Sequence, residues 1–230
     1  MTPAPYQKEA VAGPSDYYAR GARTRARELP VYSMLKRLMD ITGALAGIIV
    51  LLPLFIIVAI AIKLEDPKGS VFFYQTRVGK NEQTFRMFKF RSMLTNAEAK
   101  LAELLAQNEV SGAMFKMKDD PRITKVGRFI RKTSIDELPQ LINVLRGEMS
   151  LVGPRPPLTR EVAEYSEYDK QRLAVTPGCT GLWQVSGRSN LSFKQMVELD
   201  LKYIDQRCIM FDIKIMLRTV KAIVASNDAY

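Results

Sequence analysis

ITGALAGIIVLLPLFIIVAIAI, residues 41–62, is a run of 22 residues without a single charge, and the way it is read decides the fold of this chain. About 20 apolar residues, each rising about 1.5 Å along a helix, match a hydrocarbon core of about 30 Å. The run therefore brings the protein to a membrane. Lys36 and Arg37 precede it, with Arg20, Arg23, Arg25 and Arg27 upstream, while Lys63, Lys68, Arg77, Lys80, Arg86, Lys89 and Arg91 follow. Basic flanks mark the cytoplasmic side, so both ends are assigned to the cytoplasm, which one crossing cannot satisfy. Pro53, near the middle, lacks a backbone donor and clashes with the carbonyl one turn back, so a break in the helix is expected there. A re-entrant helix-break-helix in one leaflet meets both conditions. An ordinary kinked span is the second reading, because proline is tolerated in membrane helices. Gly43 and Gly47 form a small-xxx-small pair suited to close helix packing.

Outward from this run, residues 1–32 read as a disordered basic tail, 33–67 as the re-entrant membrane helix and 68–230 as a cytoplasmic domain large enough for one core. The expected fold is α+β and mostly helical. Aromatic stretches at 71–75 and 85–91, separated by Gly79-Lys80-Asn81, predict a short β-hairpin. Helical periodicity is read at 95–107, 192–206 and 211–225. In the last of these, Lys214, Arg218 and Lys221 line one face and Ile213, Met216, Leu217, Val220 and Val224 another. Such a helix suits a membrane interface, and burial of its apolar face in the core fits equally well.

The net charge of +10 selects anionic partners: nucleic acid, acidic lipid headgroups or phosphorylated small molecules. With a membrane segment present, lipid and phosphate come first. The chain lacks the aromatic-basic interleaving and recognition helix of a nucleic-acid binder, so no nucleic-acid partner is expected. There is no histidine, which excludes imidazole bases, Ser-His-Asp triads and three-His zinc sites. Chemistry must rest on carboxylates, lysines or hydroxyls. Cys179 and Cys208 have no CxxC spacing and read as packing residues. Neither a GxxxxGK[ST] loop nor a GxGxxG follows any strand.

Paired carboxylates, Asp136-Glu137, stand at an expected helix start beside Arg131 and within reach of a loop carrying Arg155. A helix N-terminus holds phosphate and keeps a nearby carboxylate ionised, and an ionised carboxylate is already a nucleophile. The competing reading is structural: Ser134-x-x-Glu137 matches a capping box, and Pro139 belongs in a first turn. On these residues alone both readings stand.

Five runs then carry a resemblance: residues 89–93, 120–124, 134–141, 143–156 and 181–188, among them Ser134-Ile135-Asp136-Glu137-Leu138-Pro139-Gln140-Leu141 and Gly153-Pro154-Arg155-Pro156. Together they resemble the bacterial sugar transferases, the monotopic phosphoglycosyl transferases, over about residues 33–225. The resemblance implies a cytoplasmic-membrane enzyme that moves hexose-1-phosphate, with galactose or glucose favoured, from a UDP-sugar to undecaprenyl phosphate. It releases UMP and initiates exopolysaccharide or a related glycan. It also implies Asp136 as nucleophile and magnesium ligand, Glu137 in an acid/base or metal-orienting role, and Lys89, Arg91, Arg131, Arg155 and Arg188 as substrate-binding residues. Pro53 matches the family's helix-breaking proline. A homo-oligomer is left open, as is a membrane-tethered basic scaffold without catalysis.

Overall fold

The computed structural model describes residues 29–95, 97, 120–187 and 191–225. Most of the expected tail, nearly all of the helix expected at 95–107, and Arg188 lie outside the described residues. The order is α1 (Pro30–Glu65), β1 (Phe72–Val78), β2 (Thr84–Phe90), α2 (Lys125–Lys132), α3 (Gln140–Arg146), β3 (Ser150–Val152), α4 (Thr159–Val162), α5 (Glu167–Lys170), β4 (Gly178–Thr180), α6 (Phe193–Gln206) and α7 (Ile209–Ala225), joined in places by 3-10 turns.

The apolar run is the middle of α1, one helix of 36 residues with Pro53 inside it. The interruption expected at Pro53 is thus a continuous helix. Proline removes one rung of hydrogen bonding and crowds the turn before it, but packing on either side holds the two halves to one body. Ala44 belongs to a buried cluster with Met87, Val144 and Met149. Val58 and Ile62, flanked by Leu54 and Phe55, join Phe90 and Ile130. A Cβ on Gly43 would lie 2.7 Å from Leu151 Cδ1, and one on Gly47 3.1 Å from Leu141 Cδ1. The small residues therefore admit the polar domain. The opposite face of α1, with Leu45, Ile49, Val50, Ile56, Ile57 and Ile60, is exposed.

Polar groups on α1 close ends that the domain's own elements leave open. Helix termini expose unpaired N–H groups at one end and carbonyls at the other, with a partial charge to match. Arg37 Nη1 and Nη2 donate to the carbonyls of Val144 and Leu145 at 2.6 and 2.8 Å, in the last turn of α3. Glu65 accepts from Lys125 N and Val126 N at 2.7 and 2.9 Å, in the first turn of α2. Between them Asp40 accepts from Leu151 N at 2.9 Å and Ser150 Oγ at 3.0 Å. On α7, Asp212 is fully buried and accepts from Tyr203 Oη, Tyr32 Oη and Lys36 Nζ at 2.7, 2.9 and 3.0 Å. Both ends of the long apolar helix are thereby bonded to the same domain.

The expected hairpin is present, β1 running three residues beyond its aromatic stretch and β2 shifted by one: the strands are antiparallel, with Phe72 opposite Phe90 and Val78 opposite Thr84. Its stacked Phe72–Phe90 rings, with centroids 5.4 Å apart, meet Phe55 of α1 edge-on at 5.2 Å. β3 and β4 form a second, parallel pair. Gly178 allows their approach, since a Cβ there would lie 2.0 Å from Gly153 N. Val152, Leu182, Tyr203, Ile204 and Ile215 form the core beneath α6 and α7. Ser192 and Gln195 cap α6 reciprocally, so it starts within one residue of the block read at 192–206. On α7, Asp212 and Ile215 are buried, whereas Ile213, Leu217 and Val220 of the expected apolar face are exposed and Met216 packs partly against the core, so that face as a whole is not buried. Cys179 packs against the cluster around Val144, whereas Cys208 is exposed instead of packing.

Candidate active site

Asp136 and Glu137 lie on a 3-10 turn, Ile135–Glu137, between the end of α2 and the start of α3. The helix expected to open at Asp136 begins at Gln140, with Pro139 as its N-cap, so the dyad precedes the helix. The capping box is not formed. Ser134 sits in left-handed backbone (φ 57°) and makes no side-chain cap hydrogen bond. Glu137 instead accepts from Lys89 Nζ at 2.7 Å, across from β2. A partner 48 residues away wins over the local cap because it brings a full positive charge, against the partial charge of a backbone N–H. A non-glycine residue held at positive φ stores backbone strain, which the surrounding packing must hold in place. Ile135 supplies that packing by entering the cluster of Phe90, Ile130, Val58 and Ile62.

Asn143, fully buried on α3, fixes β2 against the dyad. Its Oδ1 accepts from Phe88 N at 2.9 Å, and its Nδ2 donates to Arg86 O and Glu148 Oε2, each at 2.7 Å. Lys89 follows directly after Phe88, so this amide sets where the ammonium meets Glu137.

The two carboxylates differ in environment. Asp136 is 8 % exposed and makes no ion pair among the described residues. Burial pushes its carboxyl up to about 6, Lys89 opposes, the Glu137 charge adds to the rise, and Arg131 opposes again. Burial also acts on Glu137, but Lys89, then Arg155, then the hydrogen bond from Lys89 outweigh it and hold the carboxyl down at about 2. Glu137 therefore stays ionised and has no proton to give. Asp136 ionises just below neutrality, which leaves it both charged and reactive at pH 7.

A small cavity beside the dyad is lined by Arg77, Glu137, Gln140, Arg155, Cys179 and Gln184, among others. Arg155 makes no hydrogen bond or ion pair among the described residues and is exposed. Arg131, at the C-terminal end of α2, is close enough for its charge to lower Asp136. Of the expected substrate-binding residues, Lys89, Arg131 and Arg155 thus gather at the dyad. Arg91 is turned elsewhere, its Nε donating to Ser70 O at 2.7 Å. Arg77 was not singled out from the sequence. Its place in a strand whose first five residues are mostly exposed gave no sign that it would be 7 % exposed against a cavity.

No group of three or more acidic or cysteine side chains gathers as a metal cage among the described residues. Magnesium, however, uses one or two carboxylates together with substrate phosphates. Asp136, free of any ion pair, fits an ion of that kind, one that arrives with a diphosphate.

The family model described as bacterial sugar transferase matches residues 31–226. The galactosyl transferase CpsE of Streptococcus agalactiae serotype III (strain NEM316) is 49 % identical over 197 residues, covering 84 % of this chain and 43 % of that protein. The undecaprenyl-phosphate glucose phosphotransferase of Komagataeibacter xylinus is 44 % identical over 216 residues, 89 % of this chain and 38 % of that protein. The exopolysaccharide production protein ExoY of Sinorhizobium fredii (strain NBRC 101917 / NGR234) is 40 % identical over 205 residues, 87 % and 90 %. The chain thus spans about two fifths of the length of the first two and most of the third.

Proposed function

This chain belongs to the bacterial sugar transferase family, and on that premise we propose that it transfers hexose-1-phosphate, galactose or glucose, from a UDP-sugar to undecaprenyl phosphate. The product would start exopolysaccharide or a related glycan. The single observation that carries this reading is the split dyad: a buried, unpaired Asp136 beside a Glu137 locked to Lys89, with Arg131 and Arg155 facing them.

A carboxylate oxygen of Asp136 attacks the sugar-bearing phosphorus, and the bond from that phosphorus to the UMP oxygen breaks. This gives an aspartyl-phosphosugar anhydride and free UMP. A phosphate oxygen of undecaprenyl phosphate then attacks the same phosphorus and returns Asp136 as carboxylate. No proton transfer is required at either step, which suits a site without histidine. Negative charge grows on the phosphate oxygens, where guanidinium forks and an ammonium are most effective. Asp136 would hold magnesium, which would supply neutralisation of part of that charge. Glu137 orients Lys89, a role its ionisation favours over acid catalysis.

The same reading sets the protein on the inner face of the cytoplasmic membrane as a monotopic enzyme. Arg37 and Glu65, near the two ends of α1, bond to one polar domain, and that domain cannot stand on both sides of a bilayer. The exposed side of α1 enters one leaflet, and the Met210, Ile213, Leu217 and Val220 side of α7 lies at the interface, with Lys214, Arg218 and Lys221 toward acidic headgroups. Purified protein given magnesium, undecaprenyl phosphate and a panel of UDP-sugars tests the reaction. UMP should appear with at least one donor, and Asp136→Asn should abolish it. Release of UMP at an unchanged rate by that variant would refute the nucleophile. A magnesium-independent scaffold would instead release none and bind polyanions with steep salt dependence.

A further inference from the structure

Among the described residues three arginines are buried: Arg77, Arg122 and Arg172, at 7 %, 6 % and 5 % exposure. Two of them have a buried carboxylate in their fork. Arg122 binds Asp120 through Nε and Nη2, at 2.9 and 2.6 Å, and Arg172 binds Asp200 through Nη2. Arg77 has none. Its Nη1 donates to Pro156 O at 3.1 Å and its Nη2 to Gln75 Oε1 at 2.7 Å, both neutral acceptors, while its Nε is buried and without a partner.

A guanidinium taken out of water without a counterion is costly, and a protein retains such a charge where an anion arrives to meet it. The cavity supplies the place. Arg77 and Arg155 both line it, and Pro156, whose carbonyl Arg77 holds, is the next residue after Arg155. The nearest lining carboxylate, Glu137, has its charge committed to Lys89. Two cations therefore share one wall with a single carboxylate that Lys89 already pairs, and Glu161, whose charge also reaches Arg77, accepts from Leu158 N instead of entering the Arg77 fork.

Resting on the transferase reading, we propose that Arg77 and Arg155 form a two-guanidinium seat for a phosphate monoester dianion, occupied by the phosphate that leaves with the nucleoside. The reacting phosphorus stays with Asp136, Lys89 and Arg131 on the other side of the dyad. Breaking the diphosphate bond leaves an additional negative charge on the departing phosphate, and this seat receives it. Arg77 is then a residue of the donor site that touches substrate, not a support for the hairpin alone.

Binding of UMP and of uridine to the full chain in detergent, measured by calorimetry for the wild type, Arg77→Gln and Arg77→Lys, tests this without requiring turnover. Loss of a charge-assisted fork should weaken UMP binding by about ten-fold or more in Arg77→Gln. Uridine binding should change less than about two-fold, and Arg77→Lys, which keeps the charge, should fall between. The Michaelis constant for undecaprenyl phosphate, the other phosphate monoester, should stay within about two-fold of the wild type. Equal losses for UMP and uridine would reduce Arg77 to a structural support and overturn the proposal. A shift confined to the lipid substrate would overturn it as well. Thermal unfolding of both variants identifies any that has failed to fold, and Arg77→Lys then decides the matter. A wild type that binds UMP in this way yet releases none from any UDP-sugar would instead refute the transferase reading.

Discussion

Asp136→Asn should make the protein more stable while removing its activity. Burial dominates the surroundings of this side chain and lifts its carboxyl from 3.8 to about 6. One pKa unit is worth about 1.36 kcal/mol, so ionised Asp136 costs the folded state up to about 3 kcal/mol. The sign follows from proton binding. Below pH of about 4 the group is protonated folded and unfolded alike, and it costs nothing. Between 4 and 6 the folded chain holds the extra proton, and the stability present at low pH is lost as pH rises through 6. Asparagine cannot ionise, so its advantage should be complete above pH of about 6 and absent at pH of about 4. For a domain of this size that corresponds to a rise on the order of 6–12 °C in unfolding temperature at pH 7.5. Glu137→Gln should do the reverse, since its carboxyl is held down at about 2 and its stabilisation is present above 4.5 and lost only as pH falls toward 2. With 32 % of that side chain exposed, its loss is discounted to about 1–2 kcal/mol. Differential scanning fluorimetry in detergent from pH 4 to 8 measures both. An Asp136→Asn variant no more stable than wild type at pH 7.5, or equally advantaged at pH 4, would refute the reasoning.

Three further outcomes follow from contacts described above. Arg37→Ala removes both donors to the α3 carbonyls and should cost about 3 kcal/mol, with a fall in transferase rate, because α3 begins three residues after the dyad; thermal unfolding and UMP release report the two effects. Asp212→Ala strips the partner from Lys36, Tyr32 and Tyr203 at once and should cost about 3–5 kcal/mol, read in the same unfolding assay. Leu217→Ser with Val220→Ser alters exposed positions of α7 only, so unfolding should shift by less than about 0.5 kcal/mol while binding to anionic vesicles weakens.

Sequence alone revealed the elements whose signals are local. The aromatic hairpin and the helical blocks at 192–206 and 211–225 all rest on neighbours within a few residues, and the structure has each of them. The apolar run was equally plain, because hydropathy needs no partner. What failed was decided at a distance. Ser134 and Glu137 spell a capping box, yet Lys89 on a strand of the hairpin takes the glutamate, and the serine turns left-handed. Pro53 is a separate case: it lies inside one helix whose flanks on both sides pack against the same domain. The Gly43 and Gly47 pair signalled close packing without saying that the neighbours would be Leu151 and Leu141 of the domain itself. Arg77 was invisible because charge in a strand is usually solvated, and only the fold shows a guanidinium buried without a carboxylate. The roles of Arg37, Asp40 and Glu65 were hidden likewise. Arg37 read only as one of the basic charges flanking the apolar run, and Asp40 and Glu65 were not singled out, whereas they bond the end of α3, the edge of β3 and the start of α2.

The most direct test of covalent transfer through Asp136 is the intact mass of the purified protein after incubation with UDP-sugar and magnesium in the absence of undecaprenyl phosphate. A gain of one hexose phosphate, mapped by proteolysis to Asp136, absent from Asp136→Asn and removed when the lipid is added, is the predicted result. An adduct on another residue, or UMP released only when donor and lipid are present together, would contradict it.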